Sequence, residues 1–237
     1  MSKQKSAQVH SIFQKIAPSY DKMNSIISLG THHSWRQHAT NLLKLRPNSH
    51  VLDVCCGTGD WTIALAQQIN QTGHVTGLDF SNSMLAVAQD KIAAQQLNSK
   101  ITLLQGDAMK LPFENDQFDI VTIGFGLRNV ADALKTLQEM VRVLKPGGQL
   151  ICLETSQPTA PVIRQGWELY FGHLVPLLGK VLVNEKQEYT YLTDSTHNFV
   201  NYNQLASMFW QVGLKQVFYR RIMLGAAAIH TGFKSLE

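Results

Sequence analysis

Charged residues and strongly basic segments are scarce in this chain of 237 residues. Charged residues make up 16% of the chain, well below the roughly 25% of an average domain, whereas hydrophobic residues make up 44%. This composition excludes a disordered chain and a polyelectrolyte tail. Lysine and arginine are scattered and the formal net charge is +4, so the sequence does not indicate a nucleic-acid partner.

Cysteines and long hydrophobic runs are scarce as well. Cys55 and Cys56 are adjacent and Cys152 stands alone, which forms no disulfide framework and indicates a reducing compartment. The first residues lack the apolar core of a signal peptide. The longest apolar tracts, 169–179 and 222–229, fall short of the roughly 20 residues of a membrane span. We therefore expect a soluble, cytoplasmic protein that can still visit a membrane surface.

Short β-branched runs alternate with helical stretches along most of the chain. Strands are predicted over 50–54, 74–78, 101–105, 118–123 and 145–154, and helices over 60–69, 82–97, 131–144 and 203–212. This alternation predicts right-handed βαβ units and a doubly wound, mostly parallel sheet in an α/β fold. The final strands, over 214–221 and 224–231, are joined by a tight turn and predict an antiparallel edge pair.

A glycine-containing turn follows the first strand, within residues 51–61 (VLDVCCGTGDW). Gly57 and Gly59 let the backbone approach a ligand closely, and the helix that starts near Asp60 offers unpaired N–H groups. The third glycine of the dinucleotide pattern G-x-G-x-x-G is Thr62 here, so NAD-type packing is not encoded. The turn predicts another kind of ligand site at the carboxyl end of the strand.

Acidic side chains end the next two strands. Asp79 follows the glycine turn by about 20 residues, where a carboxylate can accept hydrogen bonds from ribose hydroxyls. The alternative is that Asp79 helps to cap the following helix. Asp107 suits an adenine amino group, and the backbone N–H of Ala108 suits a ring nitrogen. These residues predict a nucleoside site.

The order of these motifs resembles the cofactor half of class I S-adenosylmethionine-dependent methyltransferases. The motifs are DVCCGTG, LDFS, QGDAMKLPF and FDIVTIGFGLRNV. The resemblance implies a Rossmann-like sheet of seven strands and S-adenosylmethionine as the cofactor. It implies a cofactor site made of Gly57, Thr58, Gly59, Asp79, Phe80, Asp107, Ala108 and Gly124. Cys55 replaces the first glycine of the family's usual run.

Two further signatures resemble those of the ubiquinone and menaquinone biosynthesis C-methyltransferases. They are residues 20–24 with Ile27, Ser28, His32 and Trp35, and residues 142–148 with Glu154 and Ser156. The similarity covers residues 12–234. The CCGTGDW turn and residues 153–158 look most like the demethylmenaquinone branch of Gram-positive bacteria. The alternative is the ubiquinone branch, which acts on a prenylated benzoquinol.

The resemblance implies methyl transfer from a sulfonium to a ring carbon of a prenylated naphthoquinol. The reduced quinol is expected as substrate, because a phenolate oxygen pushes electron density onto that carbon. Arg128 suits the oxyanion, or it anchors its loop to the N-terminal segment. Asn129 holds the other oxygen or caps the next helix, and His32 and Tyr20 relay a proton. Peripheral contact with the inner face of the cell membrane and a homodimer stay open.

Two other classes of site are not expected. His32, His33 and His38 have no acidic or cysteine partner near in sequence, so no metal site is predicted. Nucleic-acid amine methyltransferases carry an (Asp/Asn)-Pro-Pro-aromatic run after the fourth strand. Here that place holds residues 124–127, GFGL.

We expect a single domain over residues 1–237. Its parts are an N-terminal helical lid (1–45), a cofactor-binding core (49–155), a helical substrate insertion (156–200) and a C-terminal helix with edge strands (201–237). In the lid, a helical stripe formed by Val9, Ile12, Phe13 and Ile16 ends at Pro18, a second helix spans 34–43, and residues 20–28 drape over the cofactor pocket between them.

The tract 161–183 is the least determined part of this division. Trp167, Tyr170, Phe171, Leu174 and Leu178 follow helical spacing, with a kink at Pro176. It either packs in the core or lines a channel for the isoprenoid tail and touches the membrane.

Overall fold

The computed structural model describes residues 3–28, 30–170, 172 and 186–236. Its centre is a sheet of seven strands. The strands are β1 (His50–Val54), β2 (His74–Asp79), β3 (Ile101–Gln105), β4 (Phe118–Gly124), β5 (Leu144–Thr155), β6 (Lys215–Ile222) and β7 (Ala227–Phe233). Their order is β3-β2-β1-β4-β5-β7-β6.

The strand directions confirm the predicted fold class. β1 pairs in parallel with β2 and β4, and the parallel pairing continues to β3 and β5. β7 runs antiparallel to both β5 and β6. The last strand therefore lies inside the sheet, and β6 forms the edge. β7 begins at Ala227, later than predicted, because residues 223–225 form a tight turn with positive φ.

Helices cover both faces of the sheet. They are α1 (Lys3–Ile16), α2 (Tyr20–Ile27), α3 (Thr31–Asn41), α4 (Asp60–Ala66), α5 (Asn82–Ala94), α6 (Ala133–Val143), α7 (Pro161–Leu169), α8 (Lys186–Asn198) and α9 (Tyr202–Gln211). Side chains alternate between two apolar clusters: Leu52 and Val54 lie in one, and Val51 lies in the other. A central parallel strand is buried on both faces, so its sequence is apolar almost throughout.

The N-terminal segment is more helical than the sequence predicted. The stripe that ends at Pro18 forms α1, and the predicted second helix is α3, which starts at Thr31. Residues expected to drape between them form α2. Ile16, Ala17 and Met23 pack on Met84 of α5, so this segment lies directly on the core.

Part of the tract 161–183 is described. Trp167 on α7 is buried and Tyr170 is half-buried. Phe171, Leu174, Pro176 and Leu178 lie outside the described residues. No helix in the described part of the chain has both the length and the apolar character needed to cross a bilayer. The division of the domain into lid, core and insertion stays a prediction.

Candidate functional site

Two cavities adjoin at the carboxyl ends of the parallel strands. The first, the strand-end cavity, has a volume of about 390 Å³. It is lined by residues that follow β1, β2, β3 and β4, together with Val9 and Phe13 of α1 and Tyr20 of α2. The second, the apolar cavity, has a volume of about 440 Å³. Phe125 lines both, so the loop after β4 separates them.

Most of the predicted cofactor residues lie together. The strand-end cavity is lined by Gly57, Asp79, Phe80, Asp107, Ala108 and Gly124. They meet because the carboxyl ends of neighbouring parallel strands lie at one edge of the sheet, and their contact with the cofactor stays a prediction.

Thr58 and Gly59 are not among the described residues that line this cavity. The Thr58 hydroxyl donates to Asp21 of α2 at 2.6 Å. A Cβ on Gly59 would lie 2.9 Å from the Cβ of Ala88, so this glycine allows α4 to approach α5. Their placement favours a role in shaping the turn, and direct cofactor contact by them stays a prediction.

Asp79 holds the glycine turn as well as lining the cavity. One carboxylate oxygen accepts the backbone N–H of Gly57 at 2.9 Å, and the other accepts that of Ser81 at 2.9 Å. Ser81 is the N-cap of α5. Asp79 therefore supports this cap by accepting the Ser81 N–H and does not cap the helix itself.

The turn after β1 has left-handed backbone at three positions, the third being Gly59 with φ 79°. Cys55 has φ 56° and Gly57 has φ 56°, a region that favours glycine. This conformation explains why a glycine is usual where Cys55 stands. A Cβ on Gly126 would lie 2.4 Å from the Cβ of Cys55, so the larger residue at 55 requires a glycine opposite it.

The apolar cavity lies between α2, α3, α7 and the turn after β6. Most of its lining is apolar, with contributions from Ile27, Trp35, Ile163, Trp167 and Leu224. Trp167 and Tyr170 of the uncertain tract belong to this lining, which favours the channel interpretation over a plain core helix. The Tyr170 hydroxyl donates to the carbonyl of Ile27 at 2.8 Å and ties the tract to α2.

Arg128 lies in the wall of the apolar cavity and forms a buried ion pair. Its Nη1 donates to Glu154 at 2.5 Å and to the carbonyl of Phe125 at 2.8 Å, so it anchors its loop to β5 rather than to the N-terminal segment. Burial alone would lower the pKa of Arg128, but the Glu154 carboxylate raises it above its usual value. The buried Nε has no hydrogen-bond partner among the described residues.

His32 lines the same cavity and also has a buried nitrogen without a partner among the described residues. The Ser28 hydroxyl donates to the carbonyl of Asn24 at 2.7 Å, so Nδ1 of His32, 2.7 Å from that hydroxyl, must be the donor. Nε2 is then an acceptor, and it is buried without a partner in the described part of the chain. Burial, followed by the charge of Arg36, lowers the pKa of His32 to about 4. The ring is therefore neutral near neutral pH.

Tyr20 and Asn129 face the strand-end cavity instead. Burial raises the pKa of Tyr20. Asn129 donates to the carbonyl of Phe125 at 3.1 Å and accepts from the Tyr191 hydroxyl at 3.0 Å. Asp132 caps α6, so the capping alternative for Asn129 is wrong. The four predicted catalytic residues are thus divided between two cavities that share a wall.

Two contacts of the predicted site residues were not expected from the sequence. Tyr191 donates to Asn129, and Glu154 pairs with Arg128. Glu154 could have been found, because it ends β5 at the same sheet edge as Asp79. Tyr191 lies on α8, 62 residues after Asn129 in the chain, and no local pattern indicates their contact.

The sequence showed no acidic residue near the histidines at 32, 33 and 38, but the structure brings one close to two of them. Asp60 lies close to His32 and His33, with the potential ligand atoms within 4.8 Å of one another. Asp60 is distant from both histidines in the sequence, so the sequence pattern did not indicate that they lie close together. However, Asp60 accepts from Arg36 at 3.1 Å and also pairs with Lys91. Two cations on the carboxylate make this arrangement a poor fit for a divalent metal.

Two buried histidines should make the fold sensitive to mild acid. Burial is the main cause that lowers the pKa of His32 and His230 from 6.5 to about 4. Between these values the unfolded chain binds more protons than the folded one, so each histidine's contribution is complete above pH 6.5 and is lost as pH falls toward about 4. The loss reaches at most about 3 kcal/mol per histidine.

Thermal unfolding of His230→Gln across this window should show a flatter pH dependence of Tm than the wild type. Burial raises the pKa of Asp53 to about 6, which makes stability change with pH in the opposite direction. This contribution is the same in His230→Gln and in the wild type. Equal slopes in the variant and the wild type would contradict the assignment of His230 as a neutral buried group.

The chain is similar in sequence to known methyltransferases. Residues 1–234 match the profile of the ubiE/COQ5 methyltransferase family. The chain is 52% identical to a demethylmenaquinone methyltransferase of Lactiplantibacillus plantarum, with 97% of each protein covered. It is 49% identical to one of Bacillus cereus, over 99% of this chain and 98% of that protein.

Two solved structures of methyltransferases share this architecture. A S-adenosylmethionine-dependent methyltransferase from Thermotoga maritima superposes with a TM-score of 0.70 at 17% identity, over 96% of this chain and 100% of that one. Phosphoethanolamine N-methyltransferase 2 of Haemonchus contortus, in complex with S-adenosyl-L-methionine, gives 0.62 at 14% identity, over 85% of this chain and 52% of that one. At these low sequence identities, the structural similarity supports the fold alone.

Proposed function

The chain belongs to the ubiE/COQ5 methyltransferase family, and we propose that it methylates a ring carbon of a prenylated demethylmenaquinol. The methyl group comes from S-adenosylmethionine, and the product is menaquinol. One observation carries the proposal. An apolar cavity that shares a wall with the strand-end cavity is lined by Arg128 and His32, each of which has a buried nitrogen without a partner among the described residues. An apolar ring with two oxygens has the complementary chemistry.

The strand-end cavity suits a nucleoside cofactor. The Asp79 carboxylate lines the cavity and suits ribose hydroxyls, and Asp107 suits an adenine amino group beside the apolar surface of Phe80 and Ala108. When bound, S-adenosylmethionine supplies an electrophilic methyl group on its sulfonium. This chain's residues bind the nucleoside end and exclude water, with Phe13 and Tyr20 covering the cavity from the N-terminal helices.

The apolar cavity suits the quinol. The Arg128 guanidinium donates to one ring oxygen and stabilises its phenolate, since it keeps its charge when buried beside Glu154. Glu154 orients the guanidinium. His32 Nε2 accepts the hydroxyl hydrogen of the other oxygen. A histidine with a pKa of about 4 is a weak base, so it orients the ring. As the methyl group leaves the sulfonium and bonds to the ring carbon, the proton on that carbon passes to water.

The redox state of the substrate tests this function. Purified protein with S-adenosylmethionine should methylate reduced demethylmenaquinol and leave the oxidised quinone unchanged, because the oxidised ring cannot form a phenolate. A benzoquinol of matched tail length, the substrate type of the ubiquinone branch, should react more slowly. Equal turnover without a reductant would overturn the phenolate mechanism. Faster turnover of the benzoquinol would replace the naphthoquinol assignment.

Filling the apolar cavity should impair substrate binding without impairing folding. Gly166 lines the cavity, and a Cβ on it would meet nothing within 4 Å. Gly166→Leu should therefore raise the KM for a long-tailed quinol by about 5- to 150-fold, the equivalent of an overpacking cost of about 1–3 kcal/mol. Tm should not fall, because leucine is a better helix former than glycine.

Gln165→Leu on the same helix is the matched control, because Gln165 is exposed and is not among the described lining residues. Its KM should equal that of the wild type. An unchanged KM in Gly166→Leu would remove α7 from the substrate site.

A further inference from the structure

Large apolar side chains are exposed around the mouth of the apolar cavity. Val162 is 81% exposed, Leu224 is 73% exposed and Met223 is 57% exposed, and all three line the cavity. Leu169 is 65% exposed and lies seven residues after Val162, on the same face of α7. We call these four residues the apolar rim. Exposed apolar groups that cluster in this way mark an interaction surface.

The backbone of the rim is strained in the turn between β6 and β7. Met223 has φ 49° and Leu224 has φ 57°, a left-handed region that large side chains rarely adopt. A turn that only reversed the chain would use glycine or asparagine at these positions. Strain of this kind persists where it serves a function, and here it holds two apolar side chains outward beside the cavity mouth.

Basic residues flank the rim. Arg220 and Arg221 lie three and two residues before Met223, respectively, and are exposed. On α7, the exposed Arg164 pairs with Glu168 at 2.8 Å. Exposed arginines next to an apolar surface complement the anionic headgroups of a phospholipid bilayer, which attract basic residues within a short distance of the surface.

We propose that the apolar rim inserts into the surface of an anionic lipid bilayer, so that the cavity mouth opens toward the membrane. The proposal rests on the proposed function, because a prenylated quinol resides in the bilayer and its tail must leave through this mouth. Met223 and Leu224 enter the interface, and the arginines contact the headgroups. The protein then receives its substrate without exposing the tail to water.

Sedimentation with vesicles tests the proposal in the absence of any quinol. The wild type should bind vesicles of phosphatidylglycerol and phosphatidylcholine. Met223→Asn/Leu224→Asn should bind at least about tenfold more weakly, because two apolar groups no longer enter the bilayer. Asparagine tolerates positive φ, so the turn should fold. Arg220→Gln/Arg221→Gln should weaken binding to these vesicles by about fivefold per arginine and leave binding to pure phosphatidylcholine unchanged.

Trp210→Gln/Phe218→Thr is the matched control. Trp210 is 53% exposed and Phe218 is 47% exposed, and neither is among the described residues that line the cavity. This variant should bind vesicles like the wild type. Equal losses in the rim and control variants would overturn the proposal. So would a rim variant that keeps vesicle binding and instead dissociates a dimer, since the rim would then contact a second copy.

Failure of the membrane proposal is distinguishable from failure of the proposed function. Wild-type turnover of a short-tailed reduced naphthoquinol, measured without vesicles, tests the chemistry alone. Turnover there, without vesicle binding by the wild type, would overturn the docking surface and leave the methyltransferase function in place.

Discussion

Replacing Arg128 with glutamine should slow methyl transfer in a single turnover by about 10²–10³-fold, the usual consequence of removing one oxyanion donor. Arg128 lines the apolar cavity and not the strand-end cavity, as far as the described residues define them. Binding of S-adenosylmethionine should therefore stay close to that of the wild type. The rate should recover partly at higher pH, where more of the quinol ionises without help.

The ion pair with Glu154 requires a control for folding. Arg128→Gln leaves a carboxylate that is 1% exposed without its partner, which typically costs about 3–5 kcal/mol of stability. Arg128→Gln/Glu154→Gln removes both charges and should recover much of the lost Tm. Its single-turnover rate should remain low, because the donor to the phenolate is still absent. Normal turnover by this double variant would show that Arg128 serves only the fold.

Replacing Asp79 with alanine should weaken S-adenosylmethionine binding by about 10- to 150-fold, as measured by calorimetric titration. The reason is the loss of a charged hydrogen bond to ribose, which is worth about 1.5–3 kcal/mol. Asp79 also accepts the backbone N–H groups of Gly57 and Ser81. Part of the loss can therefore come through the turn, and Tm should be recorded beside the titration.

Ser81→Ala separates the two roles. The Ser81 hydroxyl accepts the backbone N–H of Met84 as the cap of α5, and Ser81 is not among the described residues that line the strand-end cavity. Its loss should lower stability by about 1 kcal/mol without changing the affinity for the cofactor. Wild-type affinity in Asp79→Ala would exclude Asp79 from the cofactor site.

The sheet and its ligand-binding edge were predictable because they follow from short-range patterns. Apolar strands alternating with helices imply a parallel sheet, and the carboxyl ends of such strands meet at one edge. Asp79, Asp107 and Gly124 could therefore be grouped before any coordinates were known. The exact ends of helices were less predictable, since α4 ends at Ala66 where the pattern continued to residue 69.

Partners that are distant in sequence were not predictable in the same way. The alternative role of Arg128 was an anchor to the N-terminal segment, but it pairs with Glu154 on β5. The Thr58 hydroxyl donates to Asp21 of α2, a contact that the sequence did not indicate. These contacts depend on how α2 and the loop after β4 pack on the sheet, and neither residue's neighbours in sequence specify that packing.

The sequence by itself determined the α/β class, the family and the row of polar residues at one sheet edge, because each depends on residue types at fixed spacing along one strand, turn or helix. Only the tertiary structure decided that His32 and Arg128 line one apolar cavity and that α7 and the turn at Met223 form its mouth. These elements lie far apart in the chain. Their meeting is set by burial of apolar surface over the whole domain, which local patterns do not encode.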